Sequence, residues 1–384
     1  MDSSMRILLI HNYYQDPGGE DGVFHQELAA LRERHTVDTL TFQNRKGLAG
    51  VFQYLFYPYN LWAAFRLRRK VRIFAPDLIH VHNIHYASGP ILFRTAHRLK
   101  LPVVFTLHNY RLLCPSALLF YAGKKYTASI GKVFPWDAVR KGVLDGSVLK
   151  TFLTAFTYRA HAWLGTWKNV DAFLPLTAYS GDLLLQGRLS ISEKRIFVKP
   201  NFIESPASTS EEKGDYFVFI GRLSEEKGIH QLLAAFQSPG SPPLRIIGDG
   251  PLRNLPCPPN VRHLGYLSRE EAGKHLAGSR AIVIPSVCLE GFPLAILEGF
   301  SRKIPVVLSR EVAARDTIAD GVNGFLIDPW NFSQKITEIG GLRQLSRIGE
   351  EGFQTYTRLF TKEKVMGLLE DIYKKLMHHD TFSG

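Results

Sequence analysis

The sequence predicts an α/β protein made of two doubly wound parallel sheets in tandem. Three observations lead there. The 384 residues are enough for two domains at roughly 100–200 residues each. Short apolar runs alternate with longer segments of helical period, the pattern of βα units whose parallel sheets are covered on both faces. The composition, 45% hydrophobic and 21% charged, is that of a folded chain and excludes disorder or a fibrous repeat.

Taken in order, RILLIHNYY, DLIHVHNIH, PVVFTLHN, DAFLPLT and RIFVKP read as strands of a first domain over residues 1–200. YFVFIGRL, LRIIGDG, VRHLGYL, AIVIPS, IPVVLS and GFLIDP read as strands of a second over 201–361. The boundary falls near 200–214, where KPNFIESPASTSEEKGD mixes proline, serine and charge without periodicity. The final amphipathic segment, about 362–380, carries Val365, Leu368, Leu369, Ile372, Tyr373 and Leu376 at helical spacing and is free to cover either domain, including packing back on the first.

No run reaches 18 apolar residues, so no membrane-spanning helix is expected, and the N-terminus lacks the layout of a secretory signal. Cys114, Cys257 and Cys288 are far apart without CxxC spacing, which fits a reducing cytosol. The net charge of +12 is uneven: residues 1–200 hold 26 Lys+Arg against 13 Asp+Glu, and residues 201–384 hold 21 against 22. One basic domain beside a neutral one points to two different partners rather than to a nucleic-acid coat. In the basic half, Phe52, Tyr54, Phe56, Tyr57, Trp62 and Phe65 precede Arg66, Arg68, Arg69, Lys70 and Arg72. Aromatics beside such a cluster suit an anionic membrane surface, and they also suit a partly buried helix with solvated arginines. The similar stretch SVLKTFLTAFTYRAHAWLGTWK is interrupted by Lys150, Arg159 and His161 and reads as a buried helix near the surface.

Three segments carry candidate chemistry. In QDPGGEDGV, Gly18 and Gly19 lie between the opening strand and a helix read as FHQELAALRER, where backbone can approach an anion closely. In YFVFIGRLSEEKG, a strand ends at Gly221-Arg222 and a helix starts near Lys227-Gly228, so two cations and helix amides could receive a diphosphate. In IPSVCLEGFPLAILEGF, Glu290 precedes a turn, Pro293 takes a first helical position and Glu298 follows inside the helix. A carboxylate is a bidentate acceptor for vicinal hydroxyls, so Glu298 suits a ribose and Glu290 a sugar. Neither a dinucleotide nor a P-loop glycine motif is present. His80, His82 and His85 form a His-x-His strand pattern, but no acidic or cysteine partner lies nearby in sequence, and no metal is assigned.

Glu290-x7-Glu298, Gly221-Arg222 with Lys227-Gly228, and Gly248-Asp249-Gly250-Pro251 together resemble the retaining glycosyltransferases of GT-B fold, family 4 (glycosyl transferases group 1), of the bacterial polysaccharide-biosynthesis type. Gly18-Gly19-Glu20-Asp21, the strand pair APDLIHVHN and PVVFTLHNYRLLCP, and the hinge-like KPN at 199–201 are similar to that family too. The resemblance implies two Rossmann-like domains facing a central cleft, the first binding an acceptor and the second a nucleotide-sugar donor.

Carried over, Arg222 and Lys227 would bind the diphosphate, Glu298 the ribose and Glu290 the donor sugar, with Gly221, Gly291, Phe292, Pro293 and Leu294 lining the phosphates. The base would lie by Gly250, Tyr266 and Leu267. Gly19 would approach the diphosphate and His108 the reacting sugar. His108, Glu290, Arg222 and Lys227 would carry the catalysis. The chain has no Asp-x-Asp, so metal independence is expected and no cofactor beyond the substrate. Ser309-Arg310 stands where the family has a glycine pair, which leaves donor-sugar contacts there open. The implied activity is transfer of a hexose from a UDP-sugar, UDP-glucose first, to a lipid-linked or saccharide acceptor, in the cytoplasm or at the inner membrane face. The alternatives are a sugar-nucleotide epimerase of the same fold and a non-catalytic nucleotide-sugar or polyanion binder.

Overall fold

The computed structural model describes residues 4–15, 18–204, 214–343 and 345–378. The chain divides into two compact units. The first comprises the described residues of Met1–Leu119, Tyr126–Pro200 and Val365–Gly384, and the second those of Phe120–Lys125 and Asn201–Lys364. Most of the loop between units, residues 205–213 of the expected 200–214 boundary, lies outside the described residues.

The first unit holds strands β1 (Arg6–Tyr13), β2 (Thr36–Gln43), β3 (Leu78–Val81) and β4 (Val103–Leu107). Its helices are α1 (Gly19–Arg32), α2 (Gly47–Phe56), α3 (Leu61–Phe74), α4 (Ile91–Arg98), α5 (Trp136–Lys141), α6 (Val148–Trp163) and α7 (Ala178–Leu185). A small antiparallel hairpin, β5 (Phe120–Tyr121) with β6 (Lys124–Lys125), groups with the second unit, and β7 (Ala172–Pro175) returns to the first. The sheet runs β2-β1-β3-β4-β7, every pair parallel. Its strand β1, between β2 and β3, carries an unbroken apolar run, Ile7 to Ile10 being wholly buried.

Four sequence expectations are corrected here. Strand β2 was not foreseen, because an edge strand exposes one face and TVDTLTFQ alternates instead of running apolar. The expected strand RIFVKP is instead an extended segment beside β7: the amides of Phe197 and Lys199 donate to the carbonyls of Phe173 and Pro175 at 2.9 Å, with one isolated bridge at Ile196. Helix α1 begins at Gly19 rather than Phe24, since the Asp21 carboxylate accepts the Gly18 amide at 3.0 Å and so closes the first turn. Helix α6 buries Thr151, Thr154, Tyr158 and His161 but leaves Val148, Leu149 and Trp163 exposed, so it is only half covered.

The second unit holds β8 (Phe217–Ile220), β9 (Leu244–Ile247), β10 (Val261–Gly265), β11 (Ala281–Ile284), β12 (Val306–Ser309) and β13 (Phe325–Ile327). The helices are α8 (Ile229–Phe236), α9 (Arg269–Ala277), α10 (Leu294–Phe300), α11 (Phe332–Gly341) and α12 (Leu345–Leu359). Sheet order is β10-β9-β8-β11-β12-β13, again all parallel. Phe217, Leu232, Phe236, Val283 and Ile336 lie at its core. The last helix, α13 (Lys362–His378), packs with the first unit from Val365 onward: Arg34 donates to Glu370 at 3.2 Å, and the Tyr373 hydroxyl lies 2.6 Å from His80 Nδ1. Among the described residues no helix is long and apolar enough to cross a membrane.

Candidate functional site

In a doubly wound sheet, ligands bind beyond the carboxyl ends of the strands where the order reverses. In the second unit that point lies between β8 and β11. Gly221-Arg222 leaves β8 and the segment to Glu290 leaves β11, so the topology alone brings two of the three candidate segments together.

Glycines set the backbone here. Gly228, at φ +74°, sits where a Cβ would fall 2.1 Å from the Pro285 carbonyl oxygen, so the turn after Glu225 tucks against the end of β11 only without a side chain. That close approach puts the Lys227 ammonium on the Glu290 carboxylate, which also accepts from Ser286 Oγ at 2.8 Å. Burial would depress the Lys227 ammonium, but the charge of Glu290 and its hydrogen bond more than offset this and raise its pKa. Gly228→Ala is therefore expected to lower stability by more than about 1 kcal/mol from the left-handed backbone alone, with the clash added. A urea titration of the variant measures it.

Arg222 is exposed at the end of β8. Pro293 proves to be the residue before α10 rather than its first residue, with extended ψ 127°, so the helix opens at Leu294. The carbonyl of Phe292 accepts from Asn201 Nδ2 at 3.2 Å and its ring meets Phe360, which fixes the turn carrying Gly291. Glu298, inside α10, is held by Arg302 one turn on, and both side chains are largely buried. Tyr266, just past β10, is 83% exposed, with Leu267 half-buried beside it. Gly250 has a structural reason to be glycine: a Cβ there would lie 2.4 Å from the Leu223 carbonyl oxygen. Ser286 and Arg302 were not foreseen, although Arg302 stands at i+4 from Glu298, a spacing that pairs charges on a helix.

In the first unit Gly19 opens α1, exposed and with no atom of the described residues within 4 Å of where a Cβ would be, so among these packing does not demand glycine. Glu20, next in the helix, accepts from Asn109 Nδ2 at 2.7 Å, and burial raises its pKa. His108 follows β4 and stands at the end of a buried chain. Glu27 of α1 is wholly buried and pairs with the equally buried Lys199 of the KPN segment. Its other oxygen lies 3.1 Å from His82 Nε2 and 3.2 Å from His80 Nδ1. His82 Nδ1 in turn lies 3.0 Å from His108 Nε2.

This chain constrains the ring protons. A carboxylate only accepts, so His82 Nε2–H donates to Glu27, and His82 Nδ1 and His108 Nε2 share one proton between them. The cluster also corrects the expectation that the histidines lack an acidic partner. Glu27, far upstream in sequence, brings its oxygen within 4.8 Å of a ligand nitrogen of both His80 and His82. A cation there would have to displace Lys199, whose charge already balances the carboxylate, so the donor set does not favour a metal. His85 faces elsewhere, with Nδ1 3.0 Å from the Tyr57 hydroxyl.

The buried groups set a pH dependence. Burial pushes His80 and His108 well below the ordinary 6.5. Burial alone would raise Glu27, but Lys199, His82 and His80 outweigh it and hold the carboxyl well below 4.5. All three groups bind protons more readily unfolded than folded. The stability contributed by the histidines is therefore complete above the unfolded value of about 6.5 and lost as pH falls, with Glu27 adding to the loss below about 4.5. Denaturation midpoints measured across that range are expected to be level near neutrality and to fall steadily below about pH 6.5.

Comparison with known proteins agrees with this architecture. Residues 17–205 match the model for Glycosyltransferase Family 4 and residues 201–342 that for Glycosyl transferases group 1. EpsD of Bacillus subtilis (strain 168), a protein named as a glycosyltransferase, is 26% identical over 352 residues, covering 85% of this chain and 84% of EpsD. A GDP-mannose-dependent alpha-mannosyltransferase of Corynebacterium glutamicum is 32% identical over 120 residues, 31% of this chain and 29% of that one. The crystal structure of Anabaena Alr3699/HepE in complex with UDP superposes with a TM-score of 0.64 over 97% of this chain and 99% of that one, at 17% identity, which shows a shared fold. With two parallel doubly wound sheets and both matches, which together span residues 17–342, the chain belongs to the glycosyltransferases of GT-B fold.

Proposed function

We propose that this glycosyltransferase is a retaining, metal-independent hexosyltransferase. Its donor is a UDP-sugar, with UDP-glucose as the first candidate, and its acceptor a lipid-linked or saccharide chain of an envelope or exported polysaccharide. One observation carries the reading: Lys227, Glu290 and Ser286 are bonded to one another at the strand-order reversal of the second unit. A cation and a hydroxyl-binding carboxylate thus stand side by side where a sugar diphosphate would need both.

Departure of the sugar leaves charge on the diphosphate, which Lys227 and Arg222 would stabilise together with amides of the turn from Gly291 to Leu294. The acceptor hydroxyl bonds to the anomeric carbon on the face the diphosphate leaves, and its proton passes to the departing oxygen. No carboxylate acts as a covalent nucleophile, so Glu290 is assigned to sugar hydroxyls and Glu298 to the ribose. Gly221 and Gly250 shape the loops, and Tyr266 with Leu267 offers a face to the base. In the first unit, Gly19 gives an open approach to an anion and His108 a ring nitrogen to a sugar hydroxyl. The HepE structure binds UDP, which supports a uridine donor, and the basic first half of the chain supports a membrane-side acceptor.

The test is a thermal-shift and hydrolysis panel of UDP-glucose, UDP-galactose, UDP-N-acetylglucosamine, GDP-mannose and ADP-glucose, with and without EDTA. One UDP-sugar at about a hundred times its Kd is expected to add roughly 2.7 kcal/mol of stability, unchanged by EDTA. A response to GDP-mannose alone, or one abolished by EDTA, would overturn the donor or the metal-free part of the reading.

A further inference from the structure

Helix α2 is turned inside out. Leu48, Val51, Phe52, Leu55 and Phe56 recur at i, i+3, i+4, i+7 and i+8, the spacing of a core-facing stripe, yet each is more than half exposed. The buried members are Gly50 and Tyr54, and the Tyr54 hydroxyl bonds Thr154 Oγ1 of α6 at 2.7 Å. Gly50 packs on the chain just ahead of the helix, where a Cβ would fall 2.1 Å from the Arg45 carbonyl oxygen. The pattern continues into α3, where Leu61, Trp62 and Phe65 are exposed while Ala63, Ala64 and Leu67 are buried. Of the six aromatics noted in sequence, Tyr54 and Tyr57 are thus core residues and the other four face solvent.

The charge beside this face selects its partner. Residues 39–76 contain no aspartate or glutamate, and Arg68, Arg69 and Arg72 stand exposed on α3 one to three turns past Trp62 and Phe65. A polyanion alone would leave the aliphatic stripe without a partner, and an ordinary protein surface rarely exposes so continuous an apolar face. Apolar side chains backed by arginines are what the boundary between acyl chains and anionic headgroups accepts.

We propose that α2 and the first half of α3 form a docking surface that lies in the interface of an anionic bilayer, apolar stripe inward and arginines on headgroup phosphates. This deepens the membrane-side acceptor of the preceding reading and rests on that reading for its purpose.

The test is flotation of the full chain with phosphatidylcholine vesicles, alone and with phosphatidylglycerol. Wild type, Phe52→Gln/Phe56→Gln and Arg68→Gln/Arg69→Gln/Arg72→Gln are compared. Wild type is expected to float with the anionic vesicles, and the arginine variant to bind roughly a hundredfold more weakly at low salt. The phenylalanine variant is expected to keep only binding that raised salt removes. Wild type left at the bottom with both vesicle types overturns the proposal, as does a phenylalanine variant that floats like wild type at high salt. A wild-type dimer that the phenylalanine variant dissolves into monomers, without flotation, would make the face a subunit interface instead. Thermal shift by the sugar-nucleotide panel is run on all three proteins and is expected to be the same in each. Flotation without any donor response sinks the donor reading and leaves the docking surface standing; donor response without flotation does the reverse.

Discussion

Glu27→Leu is expected to destabilise the first unit by about 3–5 kcal/mol, because it leaves the Lys199 ammonium buried beside two imidazoles with no counter-charge. Both partners are wholly buried, so water cannot take over. The loss appears as a lowered urea midpoint for the transition of this unit. The double variant Glu27→Leu/Lys199→Met removes both charges and is expected to recover most of the loss, since a well-packed apolar pair often matches a buried ion pair. A single variant within about 1 kcal/mol of wild type would show that the pair is solvated and unimportant.

Lys227→Ala is expected to lower kcat/KM for transfer from the donor by roughly 10²–10³-fold, the scale for losing one fixed charge aimed at a developing anion. Stability should change little. The Lys227 side chain is 26% exposed, and Glu290 keeps its bond from Ser286. Steady-state rates with a labelled donor, set against the melting temperature, separate the two effects. Wild-type turnover in the variant would remove Lys227 from the site and with it the proposed stabilisation of the diphosphate.

The sequence was most legible where burial is two-sided. AIVIPS, IPVVLS and YFVFIGRL read as strands because a parallel core strand has no polar face to disguise it, and all three are strands. The edge strand β2 escaped for the opposite reason. In the candidate site, Glu290 and Glu298 could be singled out by spacing and by the apolar segments around them, but Lys227 and Glu290 are 63 residues apart, and only the order of β8 and β11 joins them. The Glu27–Lys199–His82–His108 chain was illegible for the same reason. Its members come from α1, from beyond β7 and from the ends of β3 and β4, and spacing along the chain carries no trace of their meeting.

The first unit is completed by the last helix of the chain. Tyr373 reaches the central strand through His80, and Glu370 holds Arg34, so residues more than 290 apart close one core. On the ribosome, β1 to β4 and β7 therefore emerge and wait for α13 through the whole synthesis of the second sheet. During that interval His80 lacks the Tyr373 hydroxyl and keeps only Glu27 and Thr106 as side-chain partners, and the apolar face of Val365, Leu369 and Ile372 has not yet been made. A transcript cut short near residue 360 would release an intact second sheet attached to a first one still missing its final cover, and such a product should be degraded faster than the full chain.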